Sequence, residues 1–327
     1  MSNVPPFTIT PEILNAVARI SGLVGKMDAV DWELPTRLRR QNRVKSITGT
    51  LAIEGNTLSE EQITAILDGK PVMGSAQELA EVKGAIRAYE CLPDWNPTSL
   101  KDLVSAHSVM MGDVLAEAGV LRKSSVGIQK GDEILHIAPP ADRVRGLMNE
   151  LLLWVKTSEF HPLVTSSVFH YEFEFIHPFS DGNGRMGRLW QTRLLAEWHP
   201  LFYSLPLESV IRDHQKSYYH ALAASDQQVN STEFVSFMLQ SIEEVLQKNA
   251  PLNASLNAPV QIEGLKTPDA VLACVRHDSR MTRKEMAKWI GKDLRTIGRA
   301  IRKLQDAGSL ERVGSDKTGT WRILKDD

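Results

Sequence analysis

The stretch His177-Pro178-Phe179-Ser180-Asp181-Gly182-Asn183-Gly184-Arg185-Met186-Gly187-Arg188 decides how the rest of this chain is read. Gly182 and Gly184 let the backbone turn so that successive N–H groups point into one concavity, an anion nest. A helix expected to begin near Arg185 adds its positive N-terminal end at the same place. Arg185 and Arg188 lie three apart, neighbours on one helical face, and can fork different phosphate oxygens. Asp181 is a hard oxygen donor beside the nest, where a phosphate-bound Mg²⁺ would sit. His177 supplies a titratable base a short span of chain away. Together these groups read as a phosphate-transfer site.

Other readings compete for the same residues. Gly182 to Gly187 also spells G-x-G-x-x-G, and Phe169, Tyr171, Phe173 and Phe175 alternate as in a strand. A dinucleotide fingerprint, however, wants its first glycine directly after a strand, and here HPFSD intervenes between flanks that read as helical. His170, Glu174 and His177 could share a helix face as metal ligands, although the spacing is not H-E-x-x-H. The plainest alternative is a Gly-rich surface turn with solvated arginines.

Outward from the loop, helical periodicity dominates. Thr10 with Pro11 opens a helix through the mid-20s. Leu38, Val44, Ile47 and Leu51 recur at helical spacing until Gly55 stops them, and Thr57 to Glu60 restarts a helix bearing Ile63 and Ile66. Segments 79–91, 99–116, 141–157, 162–176, 185–198 and 232–248 also read as helices. Ser125 to Ile137 differs: two β-prone pieces flank Lys130-Gly131-Asp132, a hairpin signal. Residues 249–266, rich in Asn, Ala and Pro, read as a linker. Beyond it, 267–277, 282–290 and 293–305 are expected helices, followed by short strands at Leu310–Val313 and Thr320–Leu324.

Composition sets the bounds. The 327 residues are 42% hydrophobic and 24% charged, values that allow a sizeable core without staples. Cys91 and Cys274 match no metal or disulfide spacing and are expected as buried small hydrophobes in a reducing compartment. The N-terminal MSNVPPFTIT is not a signal peptide. No run reaches the roughly 18 apolar residues of a membrane span, so a cytoplasmic location is expected. The net charge of −2 hides an asymmetry. Residues 267–327 carry 14 basic and 9 acidic side chains, a net +5, while 1–266 carry 24 and 31, a net −7. Only the C-terminal end has the sign of a nucleic-acid surface.

The loop resembles the motif of the Fic (Fido) family, His-x-Phe-x-Asp/Glu-Gly-x-Gly-Arg-x-x-Arg, and departs from it nowhere. The resemblance implies a mainly α protein: a Fic helical core with a β-hairpin flap, followed by a C-terminal winged helix-turn-helix. The boundaries are a helical region at 1–97, the catalytic domain at 98–248, the linker at 249–266 and the winged helix at 267–327. It implies transfer of AMP from ATP, with Mg²⁺, to a protein hydroxyl. His177 is then the base and Asp181 the metal ligand. Gly182, Asn183 and Gly184 cradle the α- and β-phosphates, Arg185 and Arg188 hold the β- and γ-phosphates, and Met186 and Gly187 complete the ATP-binding run. Phe179 anchors the loop.

Supporting segments carry further implied roles. Ser125, Val126, Gly127 and Ile128 belong to the flap, which docks a target protein by strand addition. Tyr218 and Tyr219 resemble an aromatic pair near the adenine and ribose, with core packing as the alternative, and Asp226 lies at that same end. Thr50-Leu51-Ala52-Ile53-Glu54-Gly55 matches the family's inhibitory motif, in which Glu54 pairs with Arg188. Thr50 and Glu54, four apart, share a helix face. The same Glu54 could instead orient a water that removes AMP. The donor could be UTP, GTP or a phosphocholine carrier. The C-terminal unit, with Arg295, Arg299, Arg302, Lys303, Arg312 and Lys317, could neutralise DNA phosphates, making the chain a nucleotide-sensing regulator. It could equally serve a protein partner or a second copy in a homodimer.

Overall fold

A computed structural model describes residues 4–29, 34–124, 127–130, 133–249, 265–277, 279, 281–314 and 320–324. The chain divides into two units, Met1–Asn249 and Ala250–Asp327. The first begins with α1 (Pro11–Ala29), α2 (Thr36–Ile53), α3 (Glu60–Leu67), α4 (Ala76–Cys91) and α5 (Leu100–Met111). The antiparallel hairpin of β1 (Gly127–Lys130) and β2 (Glu133–Ile137) follows. Then come α6 (Ala141–Thr157), α7 (Pro162–Ile176), α8 (Asn183–Trp198), α9 (Leu207–Asp213), α10 (Gln215–Gln228) and α11 (Thr232–Asn249).

Local chemistry sets several boundaries. Ser59 and Ser75 each form a capping box, taking the N–H of Gln62 or Glu78 while that side chain returns to the serine N–H. Ser75 therefore starts α4 three residues before the hydrophobic pattern declares itself. Helix α5 stops at Met111, short of the expected 116, and the chain then turns through Gly119 at φ +79°. Helices α9 and α10 had no counterpart in the sequence reading. Cys91, expected in the core, is only half-buried because it ends α4, whereas Cys274 is buried. In α6, Leu151, Leu152 and Trp154 are buried while Leu153 faces outward.

Helix α7 is the central element. Its sequence PLVTSSVFHYEFEFI buries Val168, Phe169, Tyr171, Phe173 and Ile176, so apolar residues surround it on most sides, as a core helix requires. The strand-like alternation of its aromatics, Phe169, Tyr171, Phe173 and Phe175 with His170, Glu172 and Glu174 between them, therefore lies on a helix: burial on most sides admits aromatics well beyond one narrow stripe. Pro162 at its first turn and His161, whose side chain accepts the Leu163 N–H, fix its start. Helix α7 packs on α8, and α2 packs on α9 and α4. No helix among the described residues is long and apolar enough to cross a membrane.

The second unit contains α12 (Thr267–His277), α13 (Arg283–Ile290), α14 (Leu294–Asp306) and the antiparallel pair β3 (Leu310–Val313) and β4 (Thr320–Ile323). Val271, Cys274, Met286, Ile297, Ile301 and Trp321 are among the side chains of its own core. The Trp321 indole N–H donates to the Met281 carbonyl at 3.1 Å, and the Arg312 guanidinium lies over its ring, 4.6 Å from the centroid. Arg312 is thus packed within its own unit. Lys317 lies outside the described residues.

Candidate functional site

The twelve-residue loop spans the C-terminus of α7 and the start of α8. His177 ends α7 in the left-handed conformation, φ 50° and ψ 63°, with its N–H on the Phe173 carbonyl at 2.9 Å. A non-glycine residue in that region costs about 1–2 kcal/mol, and Arg122 offsets it. The buried Arg122 guanidinium donates to the carbonyls of His177 (2.7 Å) and Ile176 (3.1 Å), and its backbone N–H donates to Pro178 at 2.9 Å. It also reaches the carbonyls of Ser124 (2.9 Å) and Pro139 (2.5 Å), the residues flanking the hairpin. One side chain therefore anchors both the loop and the base of the hairpin. Ser125 and Val126 lie outside the described residues; Gly127 and Ile128 are in β1.

Phe179 is fully buried and stacks on His107, ring centroids 3.7 Å apart and planes 4° from parallel. His107 Nδ1 accepts the Gly119 N–H at 2.8 Å, so Nε2 carries the proton and donates to the Asp181 carbonyl at 2.9 Å. Burial lowers its pKa to about 4, keeping the ring neutral and this tautomer in place. Asn183 closes the loop on itself. Its side chain accepts from the Phe179 N–H and donates to the Phe179 carbonyl, both at 2.9 Å. Its backbone N–H stands in the first turn of α8.

The glycines are required by close approach. Gly182 has φ +81°, and a Cβ there would stand 2.9 Å from the Met111 side chain. Gly184 lies against the Glu54 carboxylate, and a Cβ on it would collide with Oε1. Met186 is wholly buried, and Gly187 faces His170 and Glu174 on α7. Gly182 caps α8 without any side-chain hydrogen bond. The first-turn N–H groups of α8 have no intrahelical acceptor, and the positive end of the helix is exposed to whatever occupies the loop. Asp181 stays largely open. Its Oδ1 accepts the Gly182 N–H at 2.6 Å and its Oδ2 lies 3.5 Å from Arg185.

Two arginines define the charge. Buried Arg185 lies 3.5 Å from Glu81 on α4, a partner no sequence spacing announced. Buried Arg188 donates from Nε to Thr50 Oγ1 at 3.0 Å, and from Nη2 to the Thr50 carbonyl at 3.2 Å and Glu54 Oε1 at 2.6 Å. Burial works against the guanidinium charge, but Glu54, together with Tyr218 and Glu174, more than offsets it and holds the pKa above the ordinary arginine value. Glu54 itself is the C-cap of α2, and Gly55 follows at φ +92°. Gln215 on α10 donates to the Ile53 carbonyl at 3.0 Å, fixing that helix end.

A buried carboxylate supports this contact from behind. Glu208 on α9 accepts from Ser46 (2.7 Å), Tyr89 (2.8 Å) and Thr192 (3.1 Å). Ser46 lies one turn before Thr50 on α2, and Thr192 one turn beyond Arg188 on α8. The same two helices are thus tied twice.

The remaining expected residues separate. Tyr218 is 1% exposed, with its hydroxyl 3.1 Å from His170 Nε2, so it is a core residue and offers no face to a ligand. His170 is itself buried, with its pKa lowered to about 3 by that burial. Tyr219 is 48% exposed and keeps an open ring. Asp226 accepts from the Tyr171 hydroxyl at 2.8 Å. Among the described residues, no three or more His, Cys, Asp or Glu side chains gather as a metal cluster. The lone open carboxylate of Asp181 suits a Mg²⁺ whose other ligands are phosphate oxygens and water.

The sequence profile of the Fic/DOC family matches residues 97–195. A protein adenylyltransferase Fic of Aedes aegypti is 28% identical over 250 residues, covering 72% of this chain and 47% of that protein. The chain thus spans about half the length of the curated relatives it matches. The solved Fic-1 fragment (residues 134–508) of C. elegans, 23% identical with a TM-score of 0.59 over 72% of this chain and 73% of its own, shares the fold. The crystal structure of a Fic family protein from Desulfovibrio desulfuricans G20 is 39% identical, covers 99% of both chains and superposes with a TM-score of 0.76. The chain belongs to the Fic/DOC family, with its loop His177–Arg188 at the junction of α7 and α8.

Proposed function

We propose that this chain is a protein adenylyltransferase that transfers AMP from ATP to a Ser, Thr or Tyr hydroxyl, and that Glu54 restrains it. The hydroxyl oxygen forms a bond to the α-phosphorus while the bond to the pyrophosphate oxygen breaks. The hydroxyl proton passes to His177, and the leaving electron pair stays on pyrophosphate. The uncapped start of α8 receives the phosphates on backbone N–H groups, and Arg185 and Arg188 take the charge that develops on the leaving group. Asp181 would hold Mg²⁺, which supplies neutralising charge to the phosphates when bound. Catalysis of this kind is mostly positioning and charge stabilisation. The tripled donation of Arg122 to the α7 end keeps His177 in its left-handed turn.

The observation that carries this reading is the Glu54 carboxylate seated on Arg188 beside Gly184. A carboxylate held there occupies the guanidinium meant for a terminal phosphate and adds like charge against it. A triphosphate entering the loop must then sit with its α-phosphorus displaced, and a displacement of about 1 Å can cost 10²-fold in rate.

The test is incubation of the full chain with labelled ATP and Mg²⁺, followed by mass spectrometry of the chain itself and of added protein targets. Glu54→Gly is expected to incorporate AMP at least about 10-fold faster than wild type, equivalent to about 1.4 kcal/mol off the barrier, and His177→Ala to incorporate none. Equal incorporation by wild type and Glu54→Gly removes the restraint. Incorporation from UTP or GTP in place of ATP removes the adenylyl donor.

A further inference from the structure

We propose that the C-terminal unit binds duplex DNA, with α14 lying in the major groove. Helices α13 and α14 are joined by three residues, Gly291-Lys292-Asp293, with Gly291 at φ +67°. A short glycine-bearing turn between two helices is the connection of a helix-turn-helix. Helix α14 is strongly two-sided. Ile297, Ala300, Ile301 and Leu304 are buried, whereas Arg295, Arg299 and Arg302 are exposed.

The arginines stand at i, i+4 and i+7, one stripe down the helix. Their span is about 10 Å at 1.5 Å per residue, comparable with the roughly 12 Å width of the major groove. Among the described residues none of the three is in an ion pair, while Arg322 of the same unit pairs with Glu311 at 3.1 Å. The unit's charge has the matching sign, +5 over 267–327 against −7 for the remainder.

Gly298 fits the same arrangement. It sits mid-helix on this same stripe, between Arg295 and Arg302. A Cβ added to it would meet nothing within 4 Å. A glycine inside a helix costs about 1 kcal/mol relative to alanine, and no internal packing here requires one. Gly22, Gly25 and Gly146, inside other helices, are equally open; on this stripe the missing side chain leaves room for the backbone of a duplex to come close. The Asp293 carboxylate caps the helix start, accepting from the Arg295 and Thr296 N–H groups at 2.9 Å. Phosphate contact therefore comes from the arginine stripe rather than from the helix end.

The experiment is fluorescence anisotropy of the full chain against a fluorescein-labelled, mixed-sequence duplex of about 30 base pairs, at 50 and 200 mM KCl. With three phosphates neutralised, affinity is expected to fall roughly 40-fold between the two salts, following a logarithmic slope near −0.9 per phosphate. Arg299→Ala should reduce that slope by about one, and the combined Arg295→Ala, Arg299→Ala, Arg302→Ala variant should lose binding. Gly298→Leu should weaken binding while raising the melting temperature, a pairing that a merely structural glycine would not give. Absence of binding at 50 mM overturns the proposal, as does unchanged affinity in the triple variant or in Gly298→Leu. Capture of an acidic polypeptide such as polyglutamate, with the duplex ignored, also overturns it and assigns the stripe to a protein partner. AMP incorporation, read in the same preparations, is expected to be unchanged in the triple variant, which keeps this inference separable from the transferase reading.

Discussion

Arg188 and Glu54 stand 134 positions apart in the chain and 2.6 Å apart in space, with Thr50 receiving the same guanidinium one turn earlier on α2. Arg188 is wholly buried, so its hydrogen bonds cannot be replaced by water without rearrangement. Thr50 and Glu54 contribute differently: the hydroxyl fixes the direction of the guanidinium, and the carboxylate occupies it. Thr50→Val should therefore cost about 1–2 kcal/mol of stability and raise AMP incorporation several-fold, less than Glu54→Gly. Parallel urea melts and incorporation rates check this. A Thr50→Val rate matching Glu54→Gly would mean that guanidinium direction, rather than the added negative charge, sets the restraint.

Glu208 offers a second handle on the same two helices. Its carboxylate accepts from three hydroxyls, two of them on α2 and α8. Hydrogen bonds to a charged group are worth about 1.5–3 kcal/mol each, and Gln can keep only part of the set. Glu208→Gln is expected to lower stability by about 2 kcal/mol and to raise incorporation modestly, because α2 is less firmly registered on α8. Calorimetry with an incorporation assay reads both. Loss of stability with no change in rate would assign Glu208 to the fold alone.

These partners show where sequence reading stops. The loop is a local object: its glycines, arginines and acid lie within one helical start, so their spacing carries the geometry. Thr50 and Glu54 are likewise legible, because i, i+4 places them on one face. His107, Arg122, Glu81 and Glu208 are different. Each acts through groups on another helix or loop, and nothing in its own neighbourhood distinguishes it from a buried or solvated residue. Tyr218 and Tyr219 illustrate the converse: adjacent residues on a helix point about 100° apart, so one entered the core and the other stayed outside. The strand-like run of α7 aromatics was ambiguous because a helix buried on most faces loses the period that would identify it.

Arg122 links the loop to the hairpin base, and its fork cannot be reproduced by a point charge. Arg122→Lys keeps the charge but loses most of the guanidinium's four carbonyl contacts. Transfer in the Glu54→Gly background is expected to fall about 10–100-fold, with the KM for a protein target rising as the flap loosens. Steady-state kinetics separate the two effects. A fall in kcat alone would confine Arg122 to the loop.

His107 makes the loop sensitive to acid. In the unfolded chain its pKa is near 6.5; in the fold it is lowered to about 4 by burial. Between those values the unfolded chain binds a proton that the folded one refuses, so stability is complete above pH 6.5 and is lost as pH falls. His170, lowered to about 3, adds a second such proton. Glu172 acts oppositely: burial, with Asp226 beside it, raises its pKa to about 7, so the fold holds a proton that the unfolded chain has released. His161 is shifted the same way as the two other histidines by burial, so across pH 4.5–6.5 the unfolded chain binds more protons than the folded one and stability falls as pH falls. His107→Gln keeps an acceptor for Gly119 and a donor for Asp181 without titrating, and should reduce that slope by up to about 1.4 kcal/mol per pH unit while retaining AMP transfer. His107→Phe keeps the stack on Phe179 but loses both hydrogen bonds. It should raise the Mg²⁺ concentration needed for half-maximal transfer, because the Asp181 backbone is no longer held. Urea melts across the pH range, with Mg²⁺ titrations of both variants, decide the matter. An unchanged slope in His107→Gln, or equal Mg²⁺ dependence in the two variants, would sink the role of His107 as a neutral, tautomer-fixed support of the loop.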